Sequence, residues 1–249
     1  IVRTLQNVWP TTKITWVIGK AEAALVSDIE GIEFIIFDKK EGWRAYRKLR
    51  SSLSGRRFNI LLHMQAALRA SIASLLIRAD TKVGFDKTRS RDLQHWFTNT
   101  SITGEPRVHV INTFVQFLQA LGIDKKILVW DIPPSADDIR FAQQALGGKP
   151  TLVINPCTSV RANNWRNWDI ERYATGIDYA AVNYDLNIVL TGGPAKEERA
   201  FGDAIADSAH TTVTNLIGKS SLKQLQAILA AARVVIAPDT GPAHMAAAT

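Results

Sequence analysis

The stretch KSSLKQLQAILAAARVVIAPDTG, residues 219–241, decides the fold. Leucine or isoleucine stands at 222, 225, 228 and 229, which is the spacing of one helix face, and Ser220 or Ser221 can cap the N-terminus of that helix. An apolar strand follows at once at 233–237. A helix that leads directly into a buried strand is typical of a parallel sheet covered on both faces. The stretch therefore predicts the doubly wound α/β class.

The rest of the chain repeats this alternation of short apolar strands and amphipathic helices. Strands are predicted at 13–18, 32–37, 59–63, 81–85, 127–130, 151–155, 187–191, 212–216 and 233–237. Helices are predicted at 65–77, 112–121, 136–146, 170–183, 195–209 and 221–232.

A boundary between two Rossmann-like halves, 1–148 and 149–249, is predicted where Gly147-Gly148 and Pro150 precede a new buried strand. Neither half matches a whole doubly wound domain. The first lacks its opening strand, and the second stops one turn into a helix. We expect the missing pieces to lie outside this sequence.

Composition narrows the function classes. The 249 residues are 46% hydrophobic and 21% charged, as in an ordinary globular protein. A single cysteine, Cys157, excludes an internal disulfide framework and suits a reducing cytoplasm. No run of about 18 to 20 apolar residues predicts a membrane span.

The net charge of +7 predicts anionic partners. No zinc-finger spacing or aromatic-basic RNA motif favours nucleic acid. The basic run WRAYRKLRSSLSGRR at 43–57 has two interpretations, a solvated helix face or a surface that meets anionic lipid head groups.

The junction after the last strand groups residues that suit a phosphate. Ligands of open α/β sheets bind beyond the carboxyl ends of the strands, where Asp239-Thr240-Gly241 stands. Asp239 or Thr240 can cap the next helix, Gly241 lets the backbone approach a ligand, and Pro242 is tolerated in the first turn. The free N–H groups there favour a phosphate, which His244 could also reach. The alternative is a well-capped helix with an incidental histidine.

Three other classes of site fit poorly. Aspartic proteases need two Asp-Thr-Gly loops in β-rich lobes, and this α/β chain has one copy. No Gly-x-Gly-x-x-Gly follows a strand, which argues against a dinucleotide oxidoreductase. No Asp-x-Asp stands at a strand end to bind a cation, so no metal is expected.

Longer stretches resemble glycosyltransferase family 9, the heptosyltransferases of lipopolysaccharide core assembly. These are VVIAPDTGPAHMAAA (234–248), VINPCTSVRANNWRNW (153–168), VLTGGPAKEERA (189–200) and the segment at 219–241 that leads into the first of them. Residues 12–40 and 59–71 resemble the family's acceptor domain. The resemblance thus runs along essentially the whole chain.

The resemblance implies a GT-B fold, with an acceptor domain at 1–148 facing a donor domain at 149–249 across a cleft. It implies an inverting, metal-independent transfer of heptose from ADP-heptose to a lipid A–inner core acceptor. Such a protein would be cytoplasmic and would touch the inner membrane peripherally. The alternatives are another donor or acceptor, or a nucleotide-sugar-binding protein without transferase activity.

The resemblance also implies roles for single residues. The donor's diphosphate and sugar would contact Asp239, Thr240, Gly241, His244, Thr158 and Ser159. Arg166 stands where the family usually has lysine and would neutralise charge on the departing ADP, although Arg161 of the same loop could be the phosphate ligand instead.

Three further positions complete the implied site. Glu197 would contact the nucleoside, Ser220 would line the adenine site, and Arg69 would face the anionic acceptor. His63 ends a strand toward the cleft or is a satisfied loop histidine. The family's general base is an aspartate after the first strand of the acceptor domain, which precedes Ile1, so no base is assigned.

Overall fold

The structure, a computed structural model, describes residues 1–158 and 166–249. It divides into two compact units, residues 1–129 and 130–249. All strand pairs of the described residues are parallel, which confirms the α/β class with parallel sheets.

The first unit contains two small parallel sheets and the helices that cover them. Its elements are α1 (Val2–Val8), β1 (Ile14–Ile18), α2 (Lys20–Val26), β2 (Ile32–Ile36), α3 (Trp43–Ser52), β3 (Phe58–Leu62), α4 (Leu68–Leu75), β4 (Ala79–Gly84), β5 (Thr100–Ser101) and α5 (Val110–Gln119). β1 pairs with β2, and β3, β4 and β5 pair in that order. Short 3-10 helices lie at Lys39–Glu41 and Gln94–Trp96.

The second unit is built on one four-stranded sheet in the order β8-β7-β6-β9. Its elements are α6 (Ala136–Leu146), β6 (Thr151–Ile154), α7 (Ile170–Tyr184), β7 (Asn187–Leu190), α8 (Lys196–Ser208), β8 (Val213–Asn215), α9 (Leu222–Ala231), β9 (Val234–Ile236) and α10 (Gly241–Ala247). The chain winds outward from β6 to β8 and then returns to pair β9 with the free side of β6. The topological switch point therefore lies between β6 and β9.

Two cores lie on opposite faces of this sheet because successive strand residues point in opposite directions. Leu152 and Ile154 of β6 pack with residues of α7 and α8, including Ile177 and Ile205. Val153, between them in sequence, packs on the other face with α6 and α9. Burial on both faces explains why these strands are uninterrupted apolar runs.

The division at 129/130 comes earlier than the predicted boundary at 148/149 because α6 belongs to the second unit. Ala142 and Leu146 of α6 are buried in one cluster with Leu225 and Ile228 of α9. The side-chain amide of Gln226, also in α9, donates to a carbonyl before α6, that of Ile132.

The strand predicted at 127–130 does not form. No described strand pairs with these residues, and the N–H of Ile127 donates instead to the hydroxyl of Thr4 at 3.0 Å. Val129 and Trp130 are exposed, so this short apolar run is not a core strand. In residues 1–158 and 166–249, no helix has the length and apolar character that a membrane span requires.

Candidate active site

A cavity of about 470 Å³ lies in the second unit at the carboxyl ends of its strands. Segments that follow β6, β7 and β9, together with the start of α9, form its walls. The lining residues are Asn155, Cys157, Thr158, Arg166, Gly192, Gly193, Pro194, Glu198, Ser220, Ser221, Leu222, Leu225, Asp239, Thr240, Gly241 and Pro242. The cavity thus occupies the switch point between β6 and β9, where ligands of doubly wound sheets bind.

The segment after β9 contributes two polar side chains and one uncapped helix start. The hydroxyl of Thr240 donates to the carbonyl of Pro238 at 3.0 Å, and no side chain caps the first turn of α10. The expected cap by Asp239 or Thr240 is therefore wrong. Asp239 Oδ1 lies 3.5 Å from Nε2 of His244, and both side chains are about 80% exposed (82% and 78%). An Asp–His pair that faces solvent can turn toward a ligand without losing a buried partner.

Arg166 brings a cation to the same wall. Its Nη1 lies 3.5 Å from the carbonyl oxygen of Asp239, so the guanidinium stands beside the segment after β9 although it is distant in sequence. The side chain is exposed and lines the cavity. A guanidinium at this place can bind a phosphate with two parallel hydrogen bonds.

Thr158 presents a buried hydroxyl to the cavity. The residue is 3% exposed, and its N–H donates to Oδ1 of Asn167 at 3.0 Å. Its Oγ1 is buried with no hydrogen-bond partner among the described residues. Because a buried hydroxyl without a partner is costly, this atom is poised to bond a polar ligand.

Cys157 lies next to it, with its thiol buried. Burial, with a smaller contribution from the negative charge of Glu198, raises the pKa of the Cys157 thiol to about 12. The thiol therefore stays protonated near neutral pH, whereas nucleophilic attack needs the thiolate.

Glu198, and not the predicted Glu197, is the acid that lines the cavity. Oε2 of Glu198 accepts a hydrogen bond of 2.7 Å from the N–H of Gly193. A Cβ at Gly193 would lie 2.9 Å from Oε1 of the same carboxylate, so a side chain there would displace the Glu198 carboxylate from this position. Glu197 is exposed in the first turn of α8 and does not line the cavity. Both acids occupy that turn, and the sequence spacing cannot tell which one faces inward.

The first unit holds the remaining predicted residues. Arg69 is exposed in the first turn of α4. His63 is buried, and its Nε2 lies 3.2 Å from the hydroxyl of Ser71. Burial, and then the positive charge of Lys82, lowers the pKa of His63 to about 4, so the ring is neutral at pH 7. Of the two interpretations of His63, the geometry favours the satisfied histidine.

Sequence reasoning missed Gln94, which fixes the loop after β4. The residue is completely buried, and its side-chain amide donates to the carbonyl of His63 at 2.8 Å. Its amide oxygen accepts from the N–H of Phe85 at 3.2 Å. Gln94 thereby ties a loop residue to the ends of two neighbouring strands, β3 and β4.

Comparison with known proteins identifies the chain. The family described as "Glycosyltransferase family 9 (heptosyltransferase)" matches residues 46–249. The lipopolysaccharide core heptosyltransferase OpsX of Haemophilus influenzae is 38% identical over 99% of this chain and 70% of its own length. The chain belongs to glycosyltransferase family 9.

Solved structures agree with this family 9 chain in fold. A family 9 glycosyltransferase from Veillonella parvula superimposes with a TM-score of 0.83 at 20% identity, over 99% of this chain and 72% of the other. The Escherichia coli heptosyltransferase WaaC with ADP gives a TM-score of 0.78 at 22% identity, over 99% and 78%. The GT-B fold class is thereby confirmed.

In this family 9 chain the cavity brings together six of the nine predicted donor-site residues. They are Thr158, Arg166, Ser220, Asp239, Thr240 and Gly241. His244 does not line the cavity but pairs with Asp239. Ser159 and Arg161 lie outside the described residues. Within the described ranges, no group of three or more His, Cys, Asp or Glu side chains could hold a metal ion.

Proposed function

We propose that this chain transfers a heptose from ADP-heptose to the lipid A–inner core region of lipopolysaccharide. The observation that carries the proposal is the convergence of six predicted donor residues on one cavity, in a chain 38% identical to a lipopolysaccharide core heptosyltransferase. A solved relative at 21% identity is described with ADP-2-deoxy-2-fluoro heptose, so a protein of the same fold accommodates such a donor.

The charges of the cavity suggest how the donor is oriented. Arg166 and the hydroxyl of Thr158 suit the anionic diphosphate, since one is a cation and the other is a buried hydroxyl with no hydrogen-bond partner among the described residues. Glu198 repels phosphate and suits hydroxyl groups, so we place the nucleoside beside Glu198 and Ser220. Asp239 and His244 then face the sugar side of the diphosphate.

The transfer is proposed as a direct displacement with inversion. An acceptor hydroxyl oxygen forms a bond to the anomeric carbon while the bond from that carbon to the diphosphate oxygen breaks, and the electron pair of that bond leaves with ADP. The hydroxyl proton passes to a general base, a role for which no residue of this sequence is assigned. Negative charge grows on the departing ADP, and Arg166 stabilises it in place of a metal ion. We place the acceptor on the first unit, where Arg69 presents an exposed cation.

The acceptor's chemistry implies a location. A lipid-linked acceptor that meets a nucleotide sugar does so at the cytoplasmic face of the inner membrane. The net charge of +7 suits peripheral contact with an anionic leaflet.

The proposal is tested by measuring ADP release from ADP-heptose with a deacylated core acceptor, in magnesium and in chelator. We expect release that requires both substrates and does not change with chelator. Turnover with ADP-glucose but not ADP-heptose would point to another donor. Tight ADP-heptose binding without transfer to any core acceptor would indicate a binding protein.

Thr158→Val is expected to weaken ADP binding about tenfold or more without destabilising the protein. The substitution removes a hydroxyl that bonds a charged oxygen in the complex but has no described partner in the free protein. Calorimetric titration with ADP and thermal unfolding measure the two effects.

Thr175→Val is the matched control, because the hydroxyl of Thr175 donates to the carbonyl of Glu171 on an exposed helix face. This variant should bind ADP like the wild type. A Thr158→Val protein that is destabilised but binds ADP normally would show that the hydroxyl serves the fold and not the donor.

A further inference from the structure

Positive charge is concentrated in one short part of the chain. Residues 38–57 contain eight lysines and arginines and two acidic residues, a net charge of +6, whereas the whole chain carries +7. The remaining residues are therefore nearly neutral overall. A local excess of this kind creates a directional field and not a general basic surface.

The basic residues of helix α3 lie on its solvent-exposed side. Ala45 and Leu49 are buried against the core, whereas Trp43, Arg47 and Arg50 follow one another at helical spacing on the exposed side. Arg44 flanks this row, and Lys39 and Lys40 precede it in the 3-10 helix.

Most of these cations lack a counter-charge. In the part of the chain that the structure describes, no acidic partner lies within ion-pair distance of Lys39, Lys40, Arg44, Arg47 or Arg50. The neighbouring cations Lys48, Arg56 and Arg57 are instead paired with acids. These five positive charges, three on α3 and two in the 3-10 helix that precedes it, therefore remain available to an external anionic surface.

An exposed tryptophan stands among these charges. Trp43 is 78% exposed and rests against Tyr46, with ring centroids 5.5 Å apart. The hydroxyl of Tyr46 in turn donates to the carbonyl of Arg69 at 3.4 Å. An amphipathic ring surrounded by lysine and arginine suits the headgroup level of a bilayer, where the ring can enter the interface while the basic side chains meet anionic lipids. The face thus adjoins the residue proposed to meet the acceptor.

We infer that the basic helix face, formed by Lys39, Lys40, Trp43, Arg44, Arg47 and Arg50, docks this protein on an anionic lipid bilayer. The inference rests on the proposed function, because a lipid-linked acceptor requires the enzyme to work at such a surface. The exposed ring of Trp43 favours a bilayer over a nucleic acid duplex as the partner, because a bilayer has an apolar region into which the ring can insert. The cations contact lipid phosphates while the indole ring enters the interface.

Binding to vesicles tests this surface. The full chain is sedimented with phosphatidylglycerol–phosphatidylcholine vesicles, with pure phosphatidylcholine vesicles, and with both at high salt. We expect binding to the anionic vesicles that weakens with salt. Arg47→Glu/Arg50→Glu should weaken partition about tenfold or more, because two attractions become repulsions. Brominated phosphatidylglycerol should quench wild-type fluorescence more than that of Trp43→Phe.

Arg140→Glu/Arg172→Glu is the matched control, with the same change of net charge at exposed positions of the second unit. Equal weakening by both pairs, no binding to anionic vesicles, or tighter binding to a DNA duplex than to the vesicles would overturn the inference. Circular dichroism verifies folding. ADP release with the soluble deacylated acceptor should persist in both double variants. If the wild type itself released no ADP in this assay, the proposed function would be refuted, whereas the vesicle-binding result would still hold.

Discussion

Arg166→Ala is expected to lower the turnover number of heptose transfer by about two to three orders of magnitude, which is the effect of removing one preorganised group that stabilises developing charge. The loss should fall mainly on kcat, because the charge on the leaving diphosphate grows in the transition state. The side chain is exposed, so the free energy of unfolding should change by less than about 0.5 kcal/mol. Steady-state kinetics with varied ADP-heptose measure the effect.

Arg172→Ala and Arg166→Lys are the controls for this result. Arg172 is 72% exposed on α7 and does not line the cavity, so its loss should leave kcat unchanged. Lysine at 166 keeps the charge but loses the bidentate contact, and it should restore much of the rate. If Arg166→Ala retained more than a tenth of wild-type turnover and Arg161→Ala did not, the phosphate ligand would be Arg161.

Below pH 6.5 the buried imidazole of His63 is expected to make folding depend on pH. Its pKa is lowered to about 4 in the folded chain, against 6.5 for the free side chain, so the unfolded chain binds more protons between these values. Stability from this group is constant above pH 6.5 and falls as the pH drops toward 4. The loss amounts to about 2 kcal/mol between pH 7 and pH 5 and about 3 kcal/mol in total.

Urea unfolding of the wild type and of His63→Gln at a series of pH values isolates this contribution, because all other titrating groups are common to both proteins. The free energy of unfolding of the wild type should fall relative to that of His63→Gln as the pH falls from 6.5 toward 4. A His63→Gln protein that kept the full acid sensitivity would contradict a buried neutral His63.

The sequence predicts the second unit well because its strands are buried on both faces. Val153 and Val189 pack on one face while Ile154 and Leu190 pack on the other, so the strands appear as plain apolar runs between helices. The run at 127–130 has the same apolar composition but pairs with no strand among residues 1–158 and 166–249, and sequence alone cannot show whether a partner strand exists. The division between the two units precedes the predicted boundary for a related reason, since the contact of α6 with α9 joins residues far apart in sequence.

The candidate site was predictable where a motif fixes the place of a residue relative to a strand end. Asp239, Thr240 and Gly241 come shortly after the end of β9 and line the cavity. Whether Glu197 or Glu198 faces the cavity depends on the residue at which α8 begins. A shift of one residue would turn the other glutamate toward Gly193. Gln94 acts through two backbone groups of other segments, and no sequence pattern marks it.

The two faces of the second sheet have a consequence for evolution. Its strands direct their apolar side chains into one core or the other, whereas the cavity is lined by the segments after the strands and the start of α9. Substitutions that alter which donor is held can therefore accumulate in these segments with little cost to the scaffold. The family can diversify its sugar chemistry on an almost unchanged framework, and donor preference is expected to vary faster among its members than the sheet that supports it.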